Sequence, residues 1–184
     1  MRIIVYLQKR LDGNTLITNL LNLSIMIVLF FTTLWLLEIV LLTSVPAAVV
    51  VSGSMTHDYK FDEWWLYSGE YYANNNITKE HFEEFRFKNG INKGDILISF
   101  GLPVENVKVG DTILYRGDKT LPIVHRVVRK SITTDDVYYF QTRGDYNLRS
   151  DNPISEEQYI GTVYLKIPYV GYAAIAYREF IRLF

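Results

Sequence analysis

Ser52-Gly53-Ser54-Met55 places two serines two residues apart around a glycine. A serine hydroxyl is a poor nucleophile until a base removes its proton. Three histidines are available as that base: His57, His81 and His125. His125 lies in Ile123-Val124-His125-Arg126-Val127-Val128, a strand-like run that would hold an imidazole in a fixed orientation. His57 stands three residues after Ser54, beside Asp58, in a stretch that reads as flexible, and His81 falls in a charged segment further on. A base of this kind needs an acid to orient it. Thr142-Arg143-Gly144-Asp145-Tyr146-Asn147 and Ser150-Asp151 supply two, Asp145 and Asp151. The residues alone do not choose between them, and Gly-Asp-x-Asn is also an ordinary turn. A lysine base is the other option, from Lys93 or Lys108, each beside a Gly-Asp turn. His57-Asp58 and His81 with Glu83-Glu84 carry metal-ligand types, but nothing completes a coordination set, so they read as solvated surface. No metal or organic cofactor is expected.

These residues need elements to position them. Residues 1–12 carry Arg2, Lys9 and Arg10 against Asp12, and an apolar stretch follows from about Ile17 to Val51, densest over Leu20–Leu42. A helix over that dense part is roughly 35 Å long, enough to cross a hydrocarbon core of about 30 Å. Pro46 marks a plausible end, and Glu38 is costly in lipid unless it lies near an interface or finds a partner. The basic flank places residues 1–12 in the cytoplasm and the remainder outside. A buried core helix is disfavoured because the rest of the chain offers too little mass to enclose it. A cleaved signal peptide usually has a shorter apolar run. The expected division is therefore 1–46, tail and transmembrane anchor, and 47–184, an extracytoplasmic β domain.

After the anchor the pattern changes. Short β-branched and aromatic runs at 95–100, 111–115, 123–128, 137–142 and 162–167 alternate with Gly-Asp turns, the signature of an all-β sandwich or barrel. Residues 56–90 differ, with Trp64, Trp65, several tyrosines and a charged stretch. They read as an insertion with a loop near 73–77 and a short helix at 78–88. Asn76-Ile77-Thr78 also fits a glycosylation acceptor, a triplet common by chance. Tyr169–Phe184 is too short and too charged to span a bilayer. It suits either an interfacial amphipathic helix or packing on the β domain.

The 184 residues include no cysteine, which excludes disulfides, cysteine-based zinc sites and a cysteine nucleophile. A net charge of -1 gives no footprint for nucleic acid. Half of the residues are apolar and 14 are tyrosine, unlike a disordered chain.

Taken together, the boxes resemble the type I signal peptidases, specifically the archaeal and endoplasmic-reticulum (Sec11-like) branch of peptidase family S26. The resemblance runs from the anchor through Ser-Gly-Ser-Met at 52–55, Lys93-Gly94-Asp95-Ile96-Leu97, Val109-Gly110-Asp111, Ile123-Val124-His125-Arg126-Val127 and Thr142–Asn147 with Asp151, to Pro168-Tyr169-Val170-Gly171-Tyr172. Bacterial members place lysine where this chain has His125, and a lysine must be desolvated to be neutral near pH 7. An imidazole titrates near neutrality without that help. The resemblance implies a mainly β catalytic domain of the signal-peptidase type behind one N-terminal transmembrane helix, with a short C-terminal amphipathic segment. It makes Ser54 the nucleophile, His125 the general base and Asp151 the orienting acid. Asp145 matches a second family aspartate that supports the site, and Ser52 a position that helps form the oxyanion hole. The chain departs from the family in two places: Thr56-His57-Asp58 stands where a proline usually follows, and residues 56–90 lengthen the Ser-to-His spacing.

The implied activity is removal of signal peptides from exported preproteins by acyl transfer. The partners would be those preproteins and the lipid bilayer, without nucleic acid, and the enzyme would sit in the cell membrane with its catalytic domain outside. Small-residue cleavage sites would suit shallow apolar pockets lined by Val49–Val51, and an extended substrate would add to a sheet edge. The rival readings are a non-catalytic anchored β domain that scaffolds secretory components, and a Ser-Lys protease.

Overall fold

The computed structural model describes residues 2–117 and 121–182, with residues 2–14 described by backbone alone. They fall into two compact units that meet between Val40 and Leu41. The first is one long helix, α1 (Arg2–Leu41), which begins well before the apolar stretch. Its part Thr15–Leu41 is long and apolar enough to cross a membrane, and none of it is buried by the rest of the protein. At 1.5 Å per residue those 27 residues cover about 40 Å. Its small polar side chains satisfy themselves: Ser24, Thr32 and Thr33 donate their hydroxyls to the carbonyls four residues back. That leaves each hydroxyl paired within its own helix. The helix stops at Leu41, before Pro46, where Leu42 takes φ 52°.

The second unit is built on one antiparallel sheet of seven strands: β1 (Ala47–Val49), β2 (Ile96–Phe100), β3 (Thr112–Tyr115), β4 (Ile123–Ile132), β5 (Tyr138–Arg143), β6 (Ile154–Ser155) and β7 (Tyr159–Ile167). The order is β1-β2-β7-β3-β4-β5-β6. Register shifts at Ile98/Ser99, Leu114/Tyr115 and Val127/Arg129 are the irregularities that bend such a sheet. The result is a curled, half-barrel sheet, not a two-sheet sandwich. β1 and β6 were not foreseen; both are too short to show alternation. Among the described residues β1 pairs only with β2, which leaves its other edge unpaired.

Two apolar clusters hold the sheet. Val50, Met55, Ile91, Leu97, Leu114 and Val163 form one, and Val107, Ile113, Tyr115, Val127, Phe140 and Ile154 the other. A third comes from residues 56–90, which are far from a surface insertion. They form α2 (Phe61–Ala73) and α3 (Lys79–Glu83), and bury Trp64, Tyr72, Ile77 and Phe82 against Val128 of β4. The expected loop at 73–77 is present. The expected helix at 78–88 is shorter, and α2 was missed because its aromatic run masks any amphipathic stripe. Thr78 caps α3 by accepting the backbone N–H of His81.

α4 (Tyr172–Ile181) follows β7. It is seated by Gly94, whose φ of 88° no side chain adopts easily and whose carbonyl accepts the Gly171 N–H. Ile175 is half-buried, while Tyr177, Phe180 and Ile181 face outward. The expected C-terminal segment is thus a helix that touches the domain along one line and exposes aromatics on the other.

Candidate active site

Ser54 sits on a turn five residues beyond β1, closed by the Thr56 N–H donating to the Gly53 carbonyl. The turn is pinned below and beside the serine. Met55 is buried in the first cluster, its carbonyl accepts the Ile91 N–H, and the Ser54 carbonyl accepts the Tyr146 N–H at 2.9 Å. His125 comes from β4, where the pairing of Ile113 with His125 sets the register. Tyr115 lies two residues along β3, hence on the same face and diagonally adjacent. Asp151 follows β5, and its N–H donates to the Thr142 carbonyl.

These elements bring three side chains into a line. His125 Nε2 is 3.0 Å from Ser54 Oγ, and His125 Nδ1 is 2.6 Å from Asp151 Oδ2. The same carboxylate oxygen accepts the Thr142 hydroxyl at 2.7 Å and the Tyr115 hydroxyl at 3.1 Å. Burial pushes the Asp151 carboxyl up, but the hydrogen bond and charge of His125, with the Thr142 and Tyr115 bonds, outweigh it and hold the pKa below its ordinary value. Asp151 is therefore an anion near neutral pH. An anion only accepts, so His125 Nδ1 carries the proton and Nε2 presents its lone pair to the Ser54 hydroxyl. Burial also raises the Tyr115 phenol far above its usual range, which keeps it a donor.

Ser54 is half-exposed, whereas His125 is 6% exposed. The His125 imidazole is thus shielded, while Ser54 and Asp151 are each partly exposed. Gly144 closes the floor. A Cβ there would stand 2.6 Å from the Ser54 carbonyl and 2.8 Å from His125 Nε2. Ser52 is exposed, with its hydroxyl 3.4 Å from Ser54 Oγ. Lys93 and Lys108 are both exposed, and the side chain set against Ser54 is His125.

Asp145 lies elsewhere. It is fully buried beside the triad and takes Arg126 Nε at 3.0 Å and Nη2 at 2.7 Å, the Tyr72 hydroxyl at 2.7 Å and His57 Nε2 at 3.0 Å. Burial opposes ionisation of Asp145, but the Arg126 charge and the donated bonds win, and its carboxyl is held well below the usual range. His57 is thus not on solvated surface: it is sealed and stacked on Trp64, ring centroids 3.7 Å apart. His81 stays peripheral, edge-on to Phe85, and no cluster of metal-ligand type occurs among the described residues.

Sequence reasoning missed Tyr115, Thr142, Gly144, Arg126, His57 and Tyr72 as contributors. Arg126, Thr142 and Gly144 stand inside quoted boxes, so their position was a usable signal. Tyr115 and Tyr72 carried none, since tyrosine is abundant here.

A groove of about 350 Å³ is lined by residues of β1, of the stretch 121–124 and of α4. Its wall is mostly apolar, from Val45, Ala47, Val49, Val51, Leu121 and Val124, with Arg178 of α4 also lining it. Val51 is three residues from Ser54.

The β domain thus sets a serine, a histidine and an aspartate in line. No family model matches the chain. It is similar to proteins named signal peptidase complex catalytic subunit SEC11. That of Zygosaccharomyces rouxii is 34% identical over 93 residues, 45% of this chain and 55% of the relative. That of Lachancea thermotolerans is 37% identical over 94 residues, with the same shares. That of Fusarium vanettenii is 34% identical over 97 residues, 47% of this chain and 56% of the relative. The chain spans about half the length of the curated relatives it matches.

Proposed function

We propose that this chain is a membrane-anchored serine endopeptidase that removes signal peptides from exported preproteins. The observation that carries the reading is His125 bridging Ser54 and Asp151 at 3.0 and 2.6 Å. Ser54 Oγ attacks the scissile carbonyl while His125 Nε2 takes its proton. The Ser54 N–H and the Ser52 hydroxyl donate to the developing oxyanion, each such donor contributing roughly 3–4 kcal/mol where it has been tested in other hydrolases. His125 then protonates the leaving amine, and water hydrolyses the acyl-enzyme with His125 again as base. Asp151 keeps the imidazole in its tautomer and stabilises its charged form.

The substrate chain extends along β1 as an added strand, with its small side chains in the apolar groove. α1 anchors the enzyme in the bilayer that also holds the substrate's signal sequence, which raises the effective concentration of one for the other. In this reading residues 1–46 are the cytoplasmic tail and single-pass anchor and 47–184 the extracytoplasmic catalytic domain. Accessory subunits follow by analogy from relatives named as parts of a complex.

The test is cleavage of a purified preprotein by the full chain in detergent, with Ser54→Ala and His125→Ala compared. Both variants lose cleavage while keeping the native circular dichroism. Cleavage by Ser54→Ala at the native rate would overturn the assignment and leave an anchored binding domain.

A further inference from the structure

The molecule holds a second histidine–aspartate pair directly behind the first. Asp145 is gripped by four donors from three parts of the chain: two from Arg126 of β4, one from Tyr72 of α2 and one from His57. Every side chain in the His57–Asp145 and Arg126–Asp145 pairs has zero exposure. An ionised Asp145 only accepts, so His57 Nε2 donates to it, and His57 Nδ1 is a buried atom with no hydrogen-bond partner among the described residues. Asp145, Trp64, Phe82 and the backbone at Gly90 pack against His57.

Asp145 is bonded in sequence to the two residues that hold the nucleophile in place. Gly144 is the floor beneath the Ser54 carbonyl and His125 Nε2, and Tyr146 donates its N–H to the same carbonyl. Arg126 is the neighbour of His125 on β4. The buried carboxylate therefore ties the loop under Ser54 to the strand that bears the base. Two of its four donors come from residues 56–90, the stretch in which this chain departs from the pattern of its resemblance.

We propose that His57 and Tyr72 are positioning residues, acting through Asp145 to fix the Gly144–Tyr146 loop and hence the distance between Ser54 Oγ and His125 Nε2. This rests on the proposed peptidase reading. Neither residue touches substrate, so their loss lowers turnover and leaves substrate binding in the groove intact.

The experiment measures kcat and KM for a preprotein with the full chain in detergent, for the wild type, Tyr72→Phe, His57→Phe and His57→Gln, with folded fraction read from near-ultraviolet circular dichroism. Tyr72→Phe and His57→Phe lower kcat by about tenfold per folded molecule with KM within about twofold, because small misplacements of a nucleophile are costly. His57→Gln, whose amide still donates, recovers most of kcat. Tyr72→Phe keeps ring and volume, so it decides the matter if His57→Phe does not fold. The inference is overturned if kcat per folded molecule is unchanged in both Phe variants, or if KM alone rises. Affinity for a peptide boronic acid ending in Ala-x-Ala, which adds to an activated serine, is measured in parallel. If the wild type cleaves no preprotein but binds the boronate and the variants lose that binding, the substrate reading fails and this one stands. If the wild type binds no boronate, Ser54 is not activated and both fall.

Discussion

The two histidine–aspartate pairs differ in what lies on the far side of the imidazole. His125 has Asp151 on Nδ1 and the half-exposed Ser54 hydroxyl on Nε2. His57 has Asp145 on Nε2 and an unpartnered Nδ1 in an aromatic stack. Both carboxyls are held below their ordinary range against burial, Asp151 first by the hydrogen bond from His125 and Asp145 first by the charge of Arg126. A histidine held by a carboxylate is therefore not yet a general base. It becomes one when its other nitrogen meets a hydroxyl that substrate can reach. The sealed pair has the opposite virtue: with no route to solvent it is suited to hold backbone in place.

Breaking each pair should separate chemistry from architecture. The largest effect is expected from Ser54→Ala or His125→Ala, which should each lower kcat by on the order of 10⁴-fold without unfolding the domain. Asp151→Asn should follow at about 10²–10⁴-fold, because an amide in place of the carboxylate no longer fixes the Nδ1–H tautomer. Initial rates on a preprotein measure all three. Gly144→Ala should cost about 10²-fold, since its methyl would displace His125 or the Ser54 carbonyl.

Asp145→Asn should act on the other axis. It leaves Arg126 buried and uncompensated, a loss of about 3–5 kcal/mol in stability, readable as a lower midpoint in chemical denaturation. The same carboxylate sets an acid limit. Its folded pKa is depressed, so the stability it confers is complete above the ordinary unfolded value of about 3.9 and is lost as pH falls below that toward the folded value. The wild-type thermal midpoint should be level above about pH 5 and drop below about pH 4, and Asp145→Asn should blunt that drop. The smallest effect belongs to Tyr115→Phe, which removes one of three donors to Asp151 Oδ2, worth about 1 kcal/mol or several-fold in kcat.

The triad was more legible in the sequence than its support. Ser54 and His125 stood out because their residue types imply a chemistry and their boxes follow a family order, Asp151 was set apart from Asp145 only by what the resemblance implies, and the apolar run foretold α1. Asp145 was legible only as an aspartate of uncertain duty, since nothing local says that its partners are Arg126, Tyr72 and His57, up to 88 residues away. His57 read as flexible because a polar neighbour such as Asp58 says nothing about the aromatic lid that α2 and α3 place over it. Long-range pairing also hid β1 and β6, whose few residues gain their strand geometry only from β2 and β5.

The central claim is that Ser54 is activated by His125 as oriented by Asp151. It is tested most directly by the pre-steady-state acylation rate of the full chain on a preprotein, wild type against His125→Ala, with the acyl group mapped by mass spectrometry. The account predicts an acyl adduct on Ser54 in the wild type and none within the same time in His125→Ala. An adduct on another residue, or an unchanged acylation rate without His125, would contradict it.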